Sequence, residues 1–253
     1  MALAALYDIH GNLPALEAAL ADAAAAGASE FVIGGDIAPG PQPREVFYRL
    51  MALAQTHPVS FLRGNCECAM LAAASGDATQ IRQWVPRQAV APIRWSVERL
   101  IAEPLREEPL REFERWPATL RRAIPGVGEV VFCHATPRSA NEIFTRLTAE
   151  AKLRPMFDAA QADLVVCGHT HMQFDRRVGR TRVVNAGSVG MPFGRPGACW
   201  LLLGPGVELR RTEVAPAAVA AAVAASACPQ GEVFRSPPSE EEILQAYTRA
   251  ELE

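Results

Sequence analysis

The chain has 253 residues, and its 25 lysine plus arginine residues nearly balance 28 aspartate plus glutamate, for a formal net charge of −3. Without a basic block or a basic amphipathic helix, that balance argues against general nucleic-acid binding and against adhesion to a membrane surface. No apolar run approaches the ~20 residues of a membrane span, and no positively charged leader precedes Asp8.

The first apolar run, Leu3 to Tyr7, predicts a strand that delivers Asp8-Ile9-His10 to a Gly11-Asn12 turn. An alanine-rich helix then runs from Leu13 to about Gly27. Asn12 suits its N-cap, Pro14 its first turn and Gly27 its C-cap. A second strand, Glu30 to Gly34, ends on Gly35-Asp36, and a Pro- and Gly-rich loop from Ile37 to Pro43 leads into a helix over about Arg44 to Gln55. The third strand, Val59 to Leu62, ends on Arg63-Gly64-Asn65-Cys66-Glu67.

Residues 76–120 break this alternation. They read as two or three helices beside the site, with turns at Pro86, Pro92, Pro104 and Pro109, and their expected role is packing, with a lid as the alternative. The alternation resumes with a strand from Glu129 to Cys133 ending on His134, a helix over about Ala149 to Ala160, and the run Leu164 to Cys167 ending on Gly168-His169-Thr170-His171. A hairpin follows, Phe174 to Val178 and Thr181 to Asn185, then strands at Cys199 to Leu203 and Val207 to Arg211. The tail holds helices over about Pro216 to Ala225 and Ser239 to Ala250, joined by an expected flexible linker, Cys228 to Pro238, and neither helix carries evident chemistry. Strands joined by helices predict parallel pairing through right-handed crossovers. A parallel half followed by an antiparallel half suggests two sheets packed face to face with helices outside. The expectation is a single α/β domain over 1–253, with a helical insertion at about 76–120 and a helical tail at about 212–253.

Asp8, His10, Asp36, Asn65, His134, His169 and His171 all fall at predicted strand ends, which is where open α/β sheets keep their ligands. Imidazoles combined with carboxylate and amide oxygens suit borderline divalent ions such as Mn²⁺, Fe²⁺ or Zn²⁺. Seven donors exceed the needs of one ion and fit two ions sharing a bridging carboxylate, roughly 3.5–4 Å apart, as in two-metal phosphoryl displacement.

In their order and separations, Asp8-x-His10, Gly35-Asp36, Gly64-Asn65-Cys66-Glu67, His134 and Gly168-His169-x-His171 resemble the calcineurin-like metallophosphoesterase superfamily. The run Asn185-Ala186-Gly187-Ser188-Val189-Gly190 is similar to a segment of its small bacterial phosphodiesterase branch. The resemblance covers about Met1 to Arg211. It implies a four-layer αββα sandwich with two central mixed sheets. It also implies Asp8, His10 and His171 on one metal, Asn65, His134 and His169 on the other, and Asp36 bridging. The reaction so implied is hydrolysis of a phosphodiester or phosphomonoester of nucleotide-like size by a hydroxide shared between the ions. Mn²⁺ is the first expectation for both metals, and Fe, Zn or Ni the alternatives.

The resemblance departs at Cys66, where many members place a histidine that protonates the leaving oxygen. A thiol is a mediocre acid at neutral pH, so a preference for diesters or good leaving groups is expected. Asn65 and Cys66 are thus the candidate catalytic residues. Arg63, Arg138 and Arg195 flank the motifs as candidate phosphate ligands. Amides at the starts of the helices after Asn12 and Asn65 are further anion donors. Six cysteines (Cys66, Cys68, Cys133, Cys167, Cys199, Cys228) are scattered along the chain, which suits reduced thiols in a cytoplasmic protein. Cys66-x-Cys68 lacks the second pair that a zinc clip needs. The rival from another class is a non-catalytic scaffold of the same fold, disfavoured because all seven donors are retained. A homo-oligomer is compatible with the alanine-rich helices.

Overall fold

The computed structural model describes residues 2–76, 78–86, 89–101 and 108–251. Ten strands and ten helices occur among them, in the order β1 (Ala2–Leu6), α1 (Leu13–Ala25), β2 (Ala28–Ile33), α2 (Pro43–Thr56), β3 (Val59–Phe61), α3 (Asn65–Ala74), α4 (Ala78–Trp84), α5 (Val90–Leu100), α6 (Glu108–Arg115), β4 (Thr119–Ile124), β5 (Gly128–Cys133), α7 (Glu150–Ala160), β6 (Leu164–Cys167), β7 (Phe174–Val178), β8 (Thr181–Asn185), β9 (Ala198–Leu203), β10 (Val207–Thr212), α8 (Pro216–Ser226), α9 (Gly231–Arg235) and α10 (Glu240–Arg249).

Two five-stranded sheets form, in the orders β10-β9-β1-β2-β3 and β4-β5-β6-β8-β7. In the first, β1, β2 and β3 are parallel while β9 and β10 are antiparallel additions. In the second, β5, β6 and β8 are parallel, and β4 and β7 flank them antiparallel. Both sheets are therefore mixed. The expected division into a parallel and an antiparallel half does not hold, because β9 returns from late in the chain to lie beside β1.

The two-residue period of the strands sorts their side chains into layers. Along β1, Ala4 and Leu6 join a core with α1, α2, α3, α5 and α6, whereas Leu3 and Ala5 face the second sheet. Along β5 and β6, Val130, Phe132, Leu164 and Val166 meet them in the inter-sheet core, while Val131, Cys133, Val165 and Cys167 face α7. Three apolar layers separate helices, sheet, sheet and helix, which makes this a four-layer αββα sandwich. Each fully buried Leu, Ile or Val in these layers contributes about 1.5–3 kcal/mol, and such residues occur in β1, β2, β5, β6 and β9.

The stretch expected to be helical through residue 120 contains α4, α5 and α6 but ends in β4, an edge strand. Pro92 and Pro109 do not separate helices. They sit in the first turns of α5 and α6, where a missing N–H has no helical acceptor to lose. The turn expected at Pro104 lies outside the described residues. The presumed linker from Cys228 to Pro238 contains α9.

Candidate metal centre

All seven predicted donors reach one edge of the sandwich, Asn65 as the first residue of α3 and the others on the loops after β1, β2, β5 and β6. The backbone there is held in an unusual state. Asp8, His10, Asp36, His169 and His171 have φ of 53°, 47°, 54°, 66° and 59°. For an L-residue the left-handed region costs about 1–2 kcal/mol each, so on the order of 5–10 kcal/mol is stored in these loops. The other positive-φ non-glycine residues, Gln161 and Ala227, simply cap helices.

Interlocking hydrogen bonds hold that strain. Asp8 N–H donates to Gly35 O (3.1 Å), His10 N–H to Asp36 O (3.0 Å) and Gly11 N–H to Ile37 O (2.7 Å), zipping the first two loops together. Glu67, fully buried at the start of α3, accepts N–H bonds from Asp36 (2.8 Å), Ile37 (2.9 Å) and Gly64 (2.8 Å). Burial, and then the neighbouring Asp36 charge, lift its carboxyl to about 7. The 185–190 run buckles the remaining loops. Asn185 Nδ2 donates to Gly168 O (2.6 Å) and Thr170 Oγ1 (3.0 Å), Ser188 Oγ donates to Asp8 O (2.6 Å), and Gly190 N–H donates to the same carbonyl (3.0 Å). These positioning roles of Glu67, Asn185 and Ser188 are absent from the sequence reading. Their signal was an acidic or polar residue inside an otherwise apolar, glycine-rich motif.

The imidazoles are oriented from behind. His10 Nδ1 lies 3.2 Å from Pro39 O, His134 Nδ1 2.8 Å from Gly34 O and His171 Nδ1 2.8 Å from Met191 O. A carbonyl only accepts, so each Nδ1 carries a proton and each Nε2 faces the centre. There His10 Nε2 and His171 Nε2 stand 3.1 Å apart, and Asp8 Oδ1 is 3.2 Å from His171 Nε2. On the other side, His134 Nε2 lies 3.0 Å from Asn65 Oδ1 and 3.5 Å from Asp36 Oδ1. The Asn65 amide is turned this way because its Nδ2 donates to Trp84 O (3.1 Å) at the end of α4. Asp36 spans both groups, with Oδ2 3.9 Å from His10 Nε2. Asp8 Oδ2 accepts the His169 N–H (2.8 Å).

Two buried atoms in this cluster, Asp8 Oδ1 and His169 Nε2, have no hydrogen-bond partner among the described residues. Orphaned polar atoms of this kind are expensive unless something fills the gap between them. Divalent ions fit. Asp8, His10 and His171, and separately Asp8, Asp36 and His134, bring donor atoms within 4.8 Å of one another. A third such group, His10, Asp36 and Cys66, places the Cys66 thiol at the same centre. Burial, and then Asp36, push that thiol well above its ordinary range. Burial drives His10 and His169 down to about 4, aided by His171 and His134 respectively. At His134, burial is outweighed by Asp36 and Asp8, which lift the ring to about 10. Asp36 is held below the usual carboxylate range. Burial opposes this, and the nearby histidines outweigh it.

The other candidates lie differently. Arg63 Nη1 reaches Phe113 O at 3.5 Å, Arg138 is paired with Glu142 (2.6 Å), and exposed Arg195 lends its carbonyl to Arg211. The helix-start amides expected to meet an anion are engaged within the protein: Ala15 N–H donates to Asn12 Oδ1 (3.2 Å) and Cys66 N–H to Asp36 Oδ1 (2.9 Å).

This chain belongs to the calcineurin-like phosphoesterase superfamily, whose domain model matches residues 1–204. Among solved structures, it resembles the hypothetical protein PH1004 from Pyrococcus horikoshii OT3 (TM-score 0.75, 22% identity, 92% of this chain and 96% of that one). It also resembles a metallophosphoesterase from Sphaerobacter thermophilus (TM-score 0.69, 25% identity, 93% and 98%). No curated protein matches it.

Proposed function

We propose that this protein is a dimetal phosphoesterase that hydrolyses a small phosphodiester or phosphomonoester, of nucleotide-like size. The observation that carries the reading is the inward-facing donor set. Asp8 Oδ1 and His169 Nε2 are buried without hydrogen-bond partners among the described residues, and two Nε2 atoms stand 3.1 Å apart with their Nδ1 atoms already committed to carbonyls. In this reading Asp8, His10 and His171 hold one divalent ion, Asn65, His134 and His169 the other, and Asp36 both. Mn²⁺ is the first choice, with Fe, Zn or Ni as alternatives. Such ions, when bound, supply Lewis acidity and an acidified water.

The chain's own residues set the electrostatics and the limits of the reaction. Two ionised aspartates against two divalent cations leave about +2 at the centre, which attracts a phosphate ester. Cys66 keeps its proton because burial and Asp36 disfavour the thiolate, so it is a weak acid toward a leaving alkoxide. That favours diesters and good leaving groups. Glu67 and Asn185 hold Asp36 and the His169–His171 loop in place, while Trp84 O keeps the Asn65 oxygen turned inward. Among the described residues no helix is long and apolar enough to cross a membrane. The six unpaired cysteines suit a reducing compartment, and cytoplasmic residence belongs to the same proposal.

The test is hydrolysis of a chromogenic bis-aryl phosphate with and without Mn²⁺. Turnover that a chelator abolishes and Mn²⁺ restores supports the reading. Turnover indifferent to chelator, or none at all with Mn²⁺ bound, refutes it.

A further inference from the structure

Helix α10 lies beyond the segment that the family model matches. Its inward face carries Ile243, Leu244 and Tyr247, spaced as one stripe of a helix, and these pack with Met172 and Phe193. Both partners belong to the metal centre's wall. Met172 directly follows His171, and the Phe193 ring stacks on His171 with centroids 5.0 Å apart and planes at 17°. Tyr247 meets Phe193 edge-on at 6.4 Å. A row of three rings thus leads from a candidate ligand to the tail helix.

The helix is fastened without help from the tyrosine hydroxyl. Ser239 and Glu242 form a capping box, Gly194 N–H donates to Pro238 O (3.1 Å), Arg146 pairs with Glu240, and Lys152 Nζ lies 2.7 Å from Glu251. If α10 needed only an apolar wedge here, phenylalanine would serve, because a half-buried phenol must still find a hydrogen-bond partner. The Tyr247 phenol has none among the described residues. Burial raises its pKa, and the two carboxylates whose charge adds to that rise are Asp8 and Asp36, from the metal centre. The hydroxyl therefore keeps its proton, and the edge contact of the Tyr247 ring with Phe193, itself stacked on His171, sets the residue beside the metal centre.

We propose that Tyr247 is a substrate-contacting residue, its hydroxyl donating a hydrogen bond to a non-bridging phosphate oxygen at the metal centre, with α10 as one wall of the substrate cleft. This rests on the phosphoesterase reading. It would give the tail a share in substrate binding and would supply a neutral donor on the side of the centre where Phe193 covers His171.

The experiment compares wild type, Tyr247→Phe and Leu244→Ala as Mn²⁺-loaded full chains. It measures turnover of a bis-aryl phosphate, the inhibition constant of inorganic phosphate, bound Mn²⁺ and the urea midpoint. Tyr247→Phe should weaken phosphate inhibition and kcat/KM by about tenfold or more, the range for a hydrogen bond to a charged group, with Mn²⁺ content and urea midpoint unchanged. Leu244→Ala, which loosens the helix but keeps the hydroxyl, should lower the urea midpoint and change phosphate inhibition less. Equal phosphate inhibition in wild type and Tyr247→Phe overturns the proposal, as does an equal loss in both variants. Wild type without Mn²⁺-dependent turnover sinks the phosphoesterase reading and this proposal with it; an active wild type matched by Tyr247→Phe sinks this proposal alone.

Discussion

Replacing His134 with Gln removes a cation from between two buried carboxylates. In metal-free protein the His134 Nε2 lies 3.5 Å from Asp36 Oδ1 and 3.8 Å from Asp8 Oδ1. These charges outweigh burial and lift the ring to about 10 from an ordinary 6.5. At about 1.4 kcal/mol per pH unit, that shift is worth about 5 kcal/mol. Because the folded state binds the proton more tightly than the unfolded state, this stability is complete below about pH 6.5. It falls steadily above that value and is gone above about pH 10. Mn²⁺ must displace this proton, so its affinity should rise across the same window, while His10 and His169, held down to about 4, have no proton to release at neutral pH. The assay is urea unfolding of chelator-treated wild type and His134→Gln, in about one-unit pH steps from 6.5 to 9.5. The stability gap should shrink from about 5 to about 1 kcal/mol over that range, above any constant loss from repacking. A gap that does not vary with pH would refute the reasoning.

Cys66→His should raise monoester hydrolysis more than diester hydrolysis, read as the ratio of kcat/KM for the two substrate classes. An unchanged ratio contradicts the weak-acid account of Cys66. Glu67→Gln turns one acceptor oxygen into a donor facing a backbone N–H, so it should destabilise the fold by about 1–3 kcal/mol. Mn²⁺ binding by calorimetry should weaken with it, because Asp36 loses its anchor; unaltered affinity would show that Glu67 does not position Asp36. Gly168→Ala would drive a Cβ into Asp8 Oδ2 and the Tyr7 ring, so metal content should drop even where the circular dichroism stays native. Full metal content would show that the loop yields freely.

Much of the site was legible because chemistry collects where buried strands end. The runs before Asp8, Asp36, His134 and His169 are apolar, the last three of them rich in β-branched residues, and each gives way within a residue or two to a polar side chain. Sheet assignment was less legible. Ala198–Leu203 reads as one more late strand, yet it pairs with β1, because strand partners across nearly the whole chain are chosen by the shared inter-sheet core and not by local pattern. The edge strand Thr119–Ile124 is not legible because Arg121 and Arg122 interrupt its apolar run, one of its sides is exposed and the other is only half buried. The left-handed backbone at five donors could not be read either. Asp and His are among the non-glycine residues commonest at positive φ, but which of them adopt it is set by the surrounding hydrogen bonds, not by the local sequence. The tail helix looked devoid of chemistry because its partners, Met172 and Phe193, are more than fifty residues away.

Anomalous diffraction from crystals grown with Mn²⁺ bears most directly on the central claim. The account predicts two peaks roughly 3.5–4 Å apart, one among Asp8, His10 and His171, the other among Asn65, His134 and His169, with Asp36 touching both. A map without peaks there, or with a single ion that leaves Asp36 uncoordinated, would contradict it.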